Sequence, residues 1–282
     1  MTIEDSNPTW SASYRLVAAE KWKSKSAALG GDLTRALVEY ARPQPGMKVL
    51  DLASGTGEPA ISLAPLVAPL GHVTALDLSP ELLEIARGRA RQRGLINFST
   101  HAADANQLPF ADASFDLVTS RFGVMFLEED ALGETCRVLK PGGRACFAAW
   151  GPFEQPYWSS TMGVVHSHVG GPVTAPGHSP FKYARPGSLS AALERSGFKA
   201  HEETRNIPWT WPGTAEEVWE QVQAVSTPFI PLLQRVPRAS WESIHAEVLG
   251  AIGRYVDGDC VKFGAVVVFA TGAKGEGTAS RL

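Results

Sequence analysis

The sequence predicts an α/β fold built on a mostly parallel sheet, and three observations predict it. Short β-rich runs alternate with helical patterns from residue 47 onward. A glycine-bearing turn, "ASGTG" (53–57), joins the first of those runs to a helical pattern. The last apolar run, "CVKFGAVVVFATG" (260–272), follows no simple crossover and so pairs antiparallel with the strand before it.

Each element has its own reason. Residues 10–42 read as two short helices laid against the sheet or over its site. "MKVLDLA" (47–53) is the first strand, followed by a helix over 58–70 with Pro59 in its first turn and a kink expected at Pro65. "HVTALDL" (72–78) is the second strand. The next helix, 79–94, opens on a Ser79 cap with Pro80 at its first position and closes on Gly94. "INFSTHAA" (96–103), "FDLVTSRF" (115–122) and "RACFAAW" (144–150) are further strands. Between the last two lies a helix with the tail "CRVLKPGG", which Pro141 and Gly142 are expected to end. After Trp150 the chain is rich in Gly, Pro, His and aromatic residues up to 185, with one short helical stretch over 157–169. "PGSLSAALERSGF" (186–198) reads as a helix and "KAHEETRNIPW" (199–209) as a strand. Helices are expected within 214–255, and the tail "GAKGEGTASRL" as frayed.

Of the 282 residues 44% are hydrophobic and 20% charged, enough for one sizeable core, and the net charge of −3 leaves no basic footprint for nucleic acid. Apolar runs such as "AVVVFA" (265–270) are too short to span a bilayer. The start, "MTIEDSNPTW", has neither a basic nor an apolar leader segment, so a cytoplasmic location is expected. Cys136, Cys146 and Cys260 are widely spaced within apolar segments and read as buried reduced thiols, with no metal site.

Gly55, Gly57 and Ala60 spell G-x-G-x-x-A between strand and helix, with Asp77 placed to reach a ribose, as in a dinucleotide site. The same turn suits S-adenosylmethionine, and three features favour that ligand. Glu58 and Asp51 lie where a pyrophosphate would be repelled and an ammonium or sulfonium attracted. A second acid, Asp104 in "HAADANQLPF", suits the adenine edge of an adenosine lying across successive strand ends. "RVLKPGG" and the antiparallel last strand fit neither a dinucleotide fold nor a P-loop protein, and no G-x-x-x-x-G-K-[ST] is present.

The ordered set "VLDLASGTG", "ALDLSPELLEIARGRA", "ADANQLPFADASFDLVTSRFGVMF" and "RVLKPGGRACFAAW" resembles the class I S-adenosylmethionine-dependent methyltransferases. It is most similar to the group that includes the ubiquinone/menaquinone C-methyltransferases and many small-molecule methyltransferases, closely over 45–150 and loosely beyond. The resemblance implies a Rossmann-like seven-stranded sheet, order 3-2-1-4-5-7-6 with the last strand antiparallel, carrying helical cap insertions. It implies one domain over 1–282: an N-terminal helical lid (1–44), a cofactor core (45–150) and cap insertions at 151–185 and 214–255. It further implies that Ala53, Ser54, Gly55 and Thr56 wrap the methionine moiety through backbone groups. Asp77 would take the ribose hydroxyls, Leu78 would lie beside the adenine, and Asp104 and the Ala105 amide would meet the ring. Arg121 falls at the methionine end, its guanidinium expected to turn towards substrate or Asp51. Ala53 departs from the family, which often has glycine there. Asp77 and Asp104 have a competing reading as strand-end turn formers.

The activity implied is methyl transfer to a small organic acceptor through O, N, S or C. A quinone-pathway C-methyltransferase and a non-catalytic S-adenosylmethionine-binding protein are the alternatives. No acceptor base stands out; His166 and His178 are candidates only by position, and His166 and His168, two apart, make a poor metal pair. Tyr14, Trp22, Phe122 and Trp158 are expected to line an apolar acceptor pocket, since aromatic residues crowd the segments outside the sheet. The sequence does not set the oligomeric state.

Overall fold

The computed structural model describes residue 25 and residues 28–276. Tyr14 and Trp22, with residues 1–24, 26 and 27 of the expected lid (1–44), lie outside the described residues.

Helix α1 (Gly31–Ala41) buries Leu33, Thr34, Leu37 and Ala41, one stripe at helical spacing, against the sheet. Strand β1 (Lys48–Leu52) leads through the glycine turn to α2 (Ala60–Val67) and β2 (His72–Asp77). Helix α3 (Pro80–Gln92) starts as predicted: Ser79 Oγ accepts from the Leu82 N–H at 3.2 Å and Pro80 fills the first helical position. Then follow β3 (Phe98–Ala102), β4 (Phe115–Arg121), α4 (Glu129–Val138) and β5 (Leu139–Trp150). The helix before β5 ends at Val138, earlier than Pro141 and Gly142 imply. Leu139 already pairs with Phe115, and the register then jumps to Leu117↔Arg144. Residues 140–143 therefore bulge within the strand, where Gly142 takes φ +75.

Beyond β5 lie α5 (Pro156–Ser159), α6 (Met162–Val169), α7 (Ser188–Arg195), β6 (Phe198–Trp211), α8 (Ala215–Val225), α9 (Ile230–Gln234) and α10 (Trp241–Gly253). The expected stretch over 157–169 is two helices broken at 160–161. Thr214 and Glu217 close a reciprocal capping box on α8. A two-residue strand, β7 (Val256–Asp257), turns into β8 (Cys260–Lys274).

The sheet runs β3-β2-β1-β4-β5-β8-β6, the order expected once β7 is set aside. β1 to β5 are mutually parallel, while β8 runs antiparallel to both β5 and β6. Lying between two strands and covered on both faces, β8 buries Val267 to Ala270 consecutively, which explains its unbroken apolar run. Helices α6, α8, α9 and α10 pack on one another. Gln155 ties the start of α5 to β8: its Oε1 accepts from the Val266 N–H at 2.8 Å, and its Nε2 donates to the Pro152 and Val266 carbonyls. Of the three free cysteines only Cys146 is buried; Cys136 and Cys260 are half-buried, short of the full burial expected. No helix among the described residues is long and apolar enough to cross a membrane.

Candidate cofactor site

β1, β2 and β4 end side by side, and the 53–58 loop lies across their ends. Ala53 adopts φ +51 and Gly55 φ +53. The left-handed conformation costs an alanine about 1–2 kcal/mol and glycine little, so Ala53 holds strain where relatives with glycine would not. The loop is pinned from three sides. Ser54 N–H donates to the Leu76 carbonyl at 2.9 Å, and Gly55 N–H to Asp77 Oδ2 at 2.8 Å. Beneath it, a Cβ on Gly57 would lie 2.5 Å from Ile61 Cδ1 and 3.1 Å from Ala86 Cβ, so only glycine lets the loop sit on α2 and α3. From the β4 side, a Cβ on Gly123 would lie 2.5 Å from Ala53 Cβ, which demands glycine there too. Nothing lies within 4 Å of a Cβ built on Gly55, so the loop's outer face is open.

Asp77, at the end of β2, also accepts from the Ser79 N–H at 3.0 Å. A carboxylate offers about four acceptor positions, so two remain for ribose hydroxyls. The turn-former reading and the cofactor reading of Asp77 thus coexist. Leu78 beside it is 66% exposed, an apolar platform of the kind an adenine covers. Asp104 is exposed, with Oδ1 accepting from the Asn106 N–H at 2.9 Å in a short turn, and Ala105 is buried behind it. An open, acid-rich groove of about 1010 Å³ runs from Asp104 towards Glu129, Glu134 and Arg195.

Asp51, on β1 below the loop, is wholly buried. Its Oδ1 accepts from Thr119 Oγ1 at 2.7 Å, and its Oδ2 has no hydrogen-bond partner among the described residues. Burial pushes its pKa up to about 7, against the lowering effect of the Thr119 hydroxyl and the Arg121 charge. Arg121 does not turn to Asp51 as its first partner. Its Nη1 donates to Thr34 Oγ1 at 2.6 Å and to the Gly30 carbonyl at 3.3 Å, fastening the start of α1 to the end of β4. Glu58 also differs from expectation: its carboxylate accepts from Ser62 Oγ at 2.6 Å and pairs with Arg93 at 3.3 Å. The case against a pyrophosphate therefore rests on Asp51.

Arg89 is a site residue that sequence reading missed. It donates from α3 to both the Thr56 carbonyl (2.9 Å) and Thr56 Oγ1 (3.0 Å), so the Thr56 side chain faces α3 and the residue offers a ligand only its backbone. The available signal was spacing: Arg89 follows Leu82 and Ala86 on the buried stripe of its helix, an unusual place for a cation.

Phe122 follows β4 in the left-handed region, φ +58, a conformation a bulky side chain holds only under strong constraint. Its ring stacks on Trp150 with centroids 4.0 Å apart and planes 14° from parallel. Trp209, Tyr157 and Trp158 close around Trp150 at 5.2–5.9 Å. Phe122 alone of these five is half-buried; the others are buried, Trp158 at 5% exposure and stacked on Phe229. Trp158 is a core member of this wall more than a pocket surface. His166 bonds the Gly171 carbonyl and His178 the Pro176 carbonyl, both at 3.0 Å, and neither has a described bond to the 53–58 loop. No three-ligand metal cluster occurs among the described residues.

A family profile described as a methyltransferase domain matches residues 43–160. The chain is similar to a ubiquinone/menaquinone biosynthesis C-methyltransferase of Ectopseudomonas mendocina, 39% identical over 133 residues, covering 45% of this chain and 52% of that one. It spans about half the length of the curated relatives it matches. In fold it is similar to the crystal structure of the YcgJ protein of Bacillus subtilis (TM-score 0.58, 18% identity, covering 86% of this chain and 98% of that one). It is also similar to the [4+2]-cyclase SpnF (TM-score 0.53, 19% identity, covering 87% and 81%), so the fold by itself does not dictate a reaction. Over residues 43–160 the chain is similar to methyltransferase domains, and its sheet order is the one that the resemblance to class I S-adenosylmethionine-dependent methyltransferases implies.

Proposed function

We propose that this chain transfers the methyl group of S-adenosylmethionine to a small, largely apolar organic acceptor. The observation that carries the cofactor reading is Asp51: a buried carboxylate with an unpaired oxygen under the open glycine loop suits a cation and opposes a diphosphate. The residues present fit the cofactor. Asp77 holds the ribose, Leu78 covers the adenine, Asp104 and the Ala105 amide meet its edge, and the backbone of Ala53 to Thr56 receives the methionine end. When bound, the cofactor supplies an electrophilic methyl group on sulfur.

The chain's part is to orient and to exclude water. Phe122 and Trp150, next to the 53–58 loop, form an aromatic floor on which a planar acceptor would rest. The polar groups of this wall are weak: Tyr157 donates to Gln221 Oε1 at 3.3 Å, and burial raises its pKa so that it stays neutral. An acceptor that is already nucleophilic, such as a phenolate, a quinol ring or a thiolate, needs no stronger base. The activity named for the relatives, C-methylation in ubiquinone and menaquinone biosynthesis, supports a ring-carbon acceptor within this class. The net charge of −3 favours such a molecule over nucleic acid. We read 1–282 as one domain, with 1–44 as lid and 151–185 and 214–255 as cap; the Lys25–Glu217 pair (2.5 Å) supports this by joining the N-terminal segment to α8.

The test is turnover. The purified chain is incubated with S-adenosylmethionine and a panel of phenols, quinols, thiols and amines, and S-adenosylhomocysteine is measured. Formation with an aromatic or thiol acceptor is expected. Cofactor binding without turnover on any acceptor would favour the non-catalytic reading.

A further inference from the structure

We propose that Arg89 is a positioning residue for the cofactor loop: its guanidinium, braced in α3, clamps Thr56 so that the 53–58 backbone is already set to receive the methionine end of S-adenosylmethionine. This rests on the cofactor reading above and adds a residue that no family motif assigns.

The clamp follows from how α3 meets the loop. Its first residues follow Asp77, whose carboxylate accepts from the Gly55 and Ser79 N–H groups. Two turns further on, Ala86 packs beneath Gly57, 3.1 Å from where a Cβ would stand. One turn later Arg89 reaches Thr56 with two bonds from one nitrogen, 2.9 Å to the carbonyl and 3.0 Å to the hydroxyl. The loop is thus held at Gly57 and Thr56 by one rigid helix, and at Gly55 by Asp77 two residues before its Ser79 cap. The Thr56 hold is the distinctive one, because it fixes a carbonyl. A loop carbonyl pulled down onto α3 cannot swing up into the open face beside Gly55, where it would oppose a carboxylate. Charge-assisted bonds of this kind are about twice as strong as neutral ones.

Charge and geometry predict opposite signs, which makes the proposal testable. S-adenosylmethionine carries a sulfonium and S-adenosylhomocysteine does not. Were Arg89 merely a nearby cation, Arg89→Gln would improve binding of the sulfonium relative to the homocysteine form. As a clamp, its loss weakens both alike.

The experiment is calorimetric titration of the full chain with each ligand, alongside thermal unfolding. For Arg89→Gln, an affinity loss of about tenfold for both ligands is expected, with their ratio and the Tm little changed. Arg89→Lys, which keeps a cationic donor, should recover to within about threefold of the wild type. Arg91→Gln removes the same charge from the exposed side of α3 and should bind as the wild type does. If Arg89→Gln does not fold, Thr56→Val deletes the hydroxyl acceptor alone and should weaken both ligands about threefold. Unchanged affinity in Arg89→Gln or Thr56→Val overturns the proposal. So does a gain for the sulfonium form alone, or a loss in Arg89→Gln that follows a fall in Tm and is not rescued by lysine. A wild-type protein that binds neither ligand refutes the cofactor reading and the proposal with it. A binding wild type with an indifferent Arg89→Gln refutes the proposal alone.

Discussion

Replacing Asp51 by asparagine should flatten the dependence of folding stability on pH. In the native protein the Asp51 carboxyl is wholly buried, and its pKa rises from 3.8 to about 7. The folded chain then holds this proton more tightly than the unfolded chain. Between pH 4 and 7 folding takes up a proton at Asp51, so its contribution is fully present below about pH 4 and is lost as pH rises through 7. At ~1.4 kcal/mol per pH unit, ionising the buried group between pH 5 and pH 8 costs the fold ~3 kcal/mol. Asparagine keeps the acceptor for Thr119 and cannot ionise. Urea unfolding of both proteins at pH 5 and pH 8 isolates the effect, because every other titrating group is common to the two. The variant, relative to wild type, should gain ~2–3 kcal/mol on going from pH 5 to pH 8. Parallel pH profiles for the two proteins would refute the burial argument.

Other substitutions test other parts of the site. Ala53→Gly should relieve the left-handed strain and raise stability by about 1 kcal/mol in the same assay, whereas a loss would mean that the loop gains from alanine's lower flexibility. Gly123→Ala sets a methyl group against Ala53 Cβ and Ser120 Oγ and should cost about 1–3 kcal/mol, with weaker cofactor binding by calorimetry. Gln155→Ala strips the Val266 amide of its partner and should lower stability by about 1–3 kcal/mol in chemical unfolding. Phe122→Ala should leave S-adenosylhomocysteine affinity within about twofold, since its ring belongs to the acceptor floor, while raising the acceptor KM at least about tenfold, the equivalent of ~1.4 kcal/mol.

Much of the core was legible because its signals are local. The Ser79 cap with Pro80 and the alternation of strands each lie within a few residues of the element they define. The antiparallel pairing of β8 with β6 followed from the missing crossover, and its place beside β5 from the family resemblance. The misses are of another kind. Residues 140–143 look like a helix terminator and form a strand bulge, because pairing of Leu139 with Phe115 overrides the preference of Pro141 and Gly142. Glu58 was read as facing the ligand; its partners, Ser62 four residues on and Arg93 on the next helix, take it away. Arg121 bonds residues 87 and 91 positions earlier, and Arg89 a residue 33 earlier, separations at which no local pattern speaks. The left-handed turn of Phe122 is likewise set by the stack on Trp150, and nothing in "SRFGV" announces it.

The most direct test of the account is a paired calorimetric titration of the wild type and Asp77→Ala with S-adenosylhomocysteine and with NAD. The account predicts one S-adenosylhomocysteine site per wild-type chain, about thirty- to a hundredfold weaker in Asp77→Ala from the loss of ~2–3 kcal/mol of charge-assisted ribose bonding, and no NAD binding in either protein. NAD binding by the wild type, or S-adenosylhomocysteine affinity indifferent to Asp77, would contradict it.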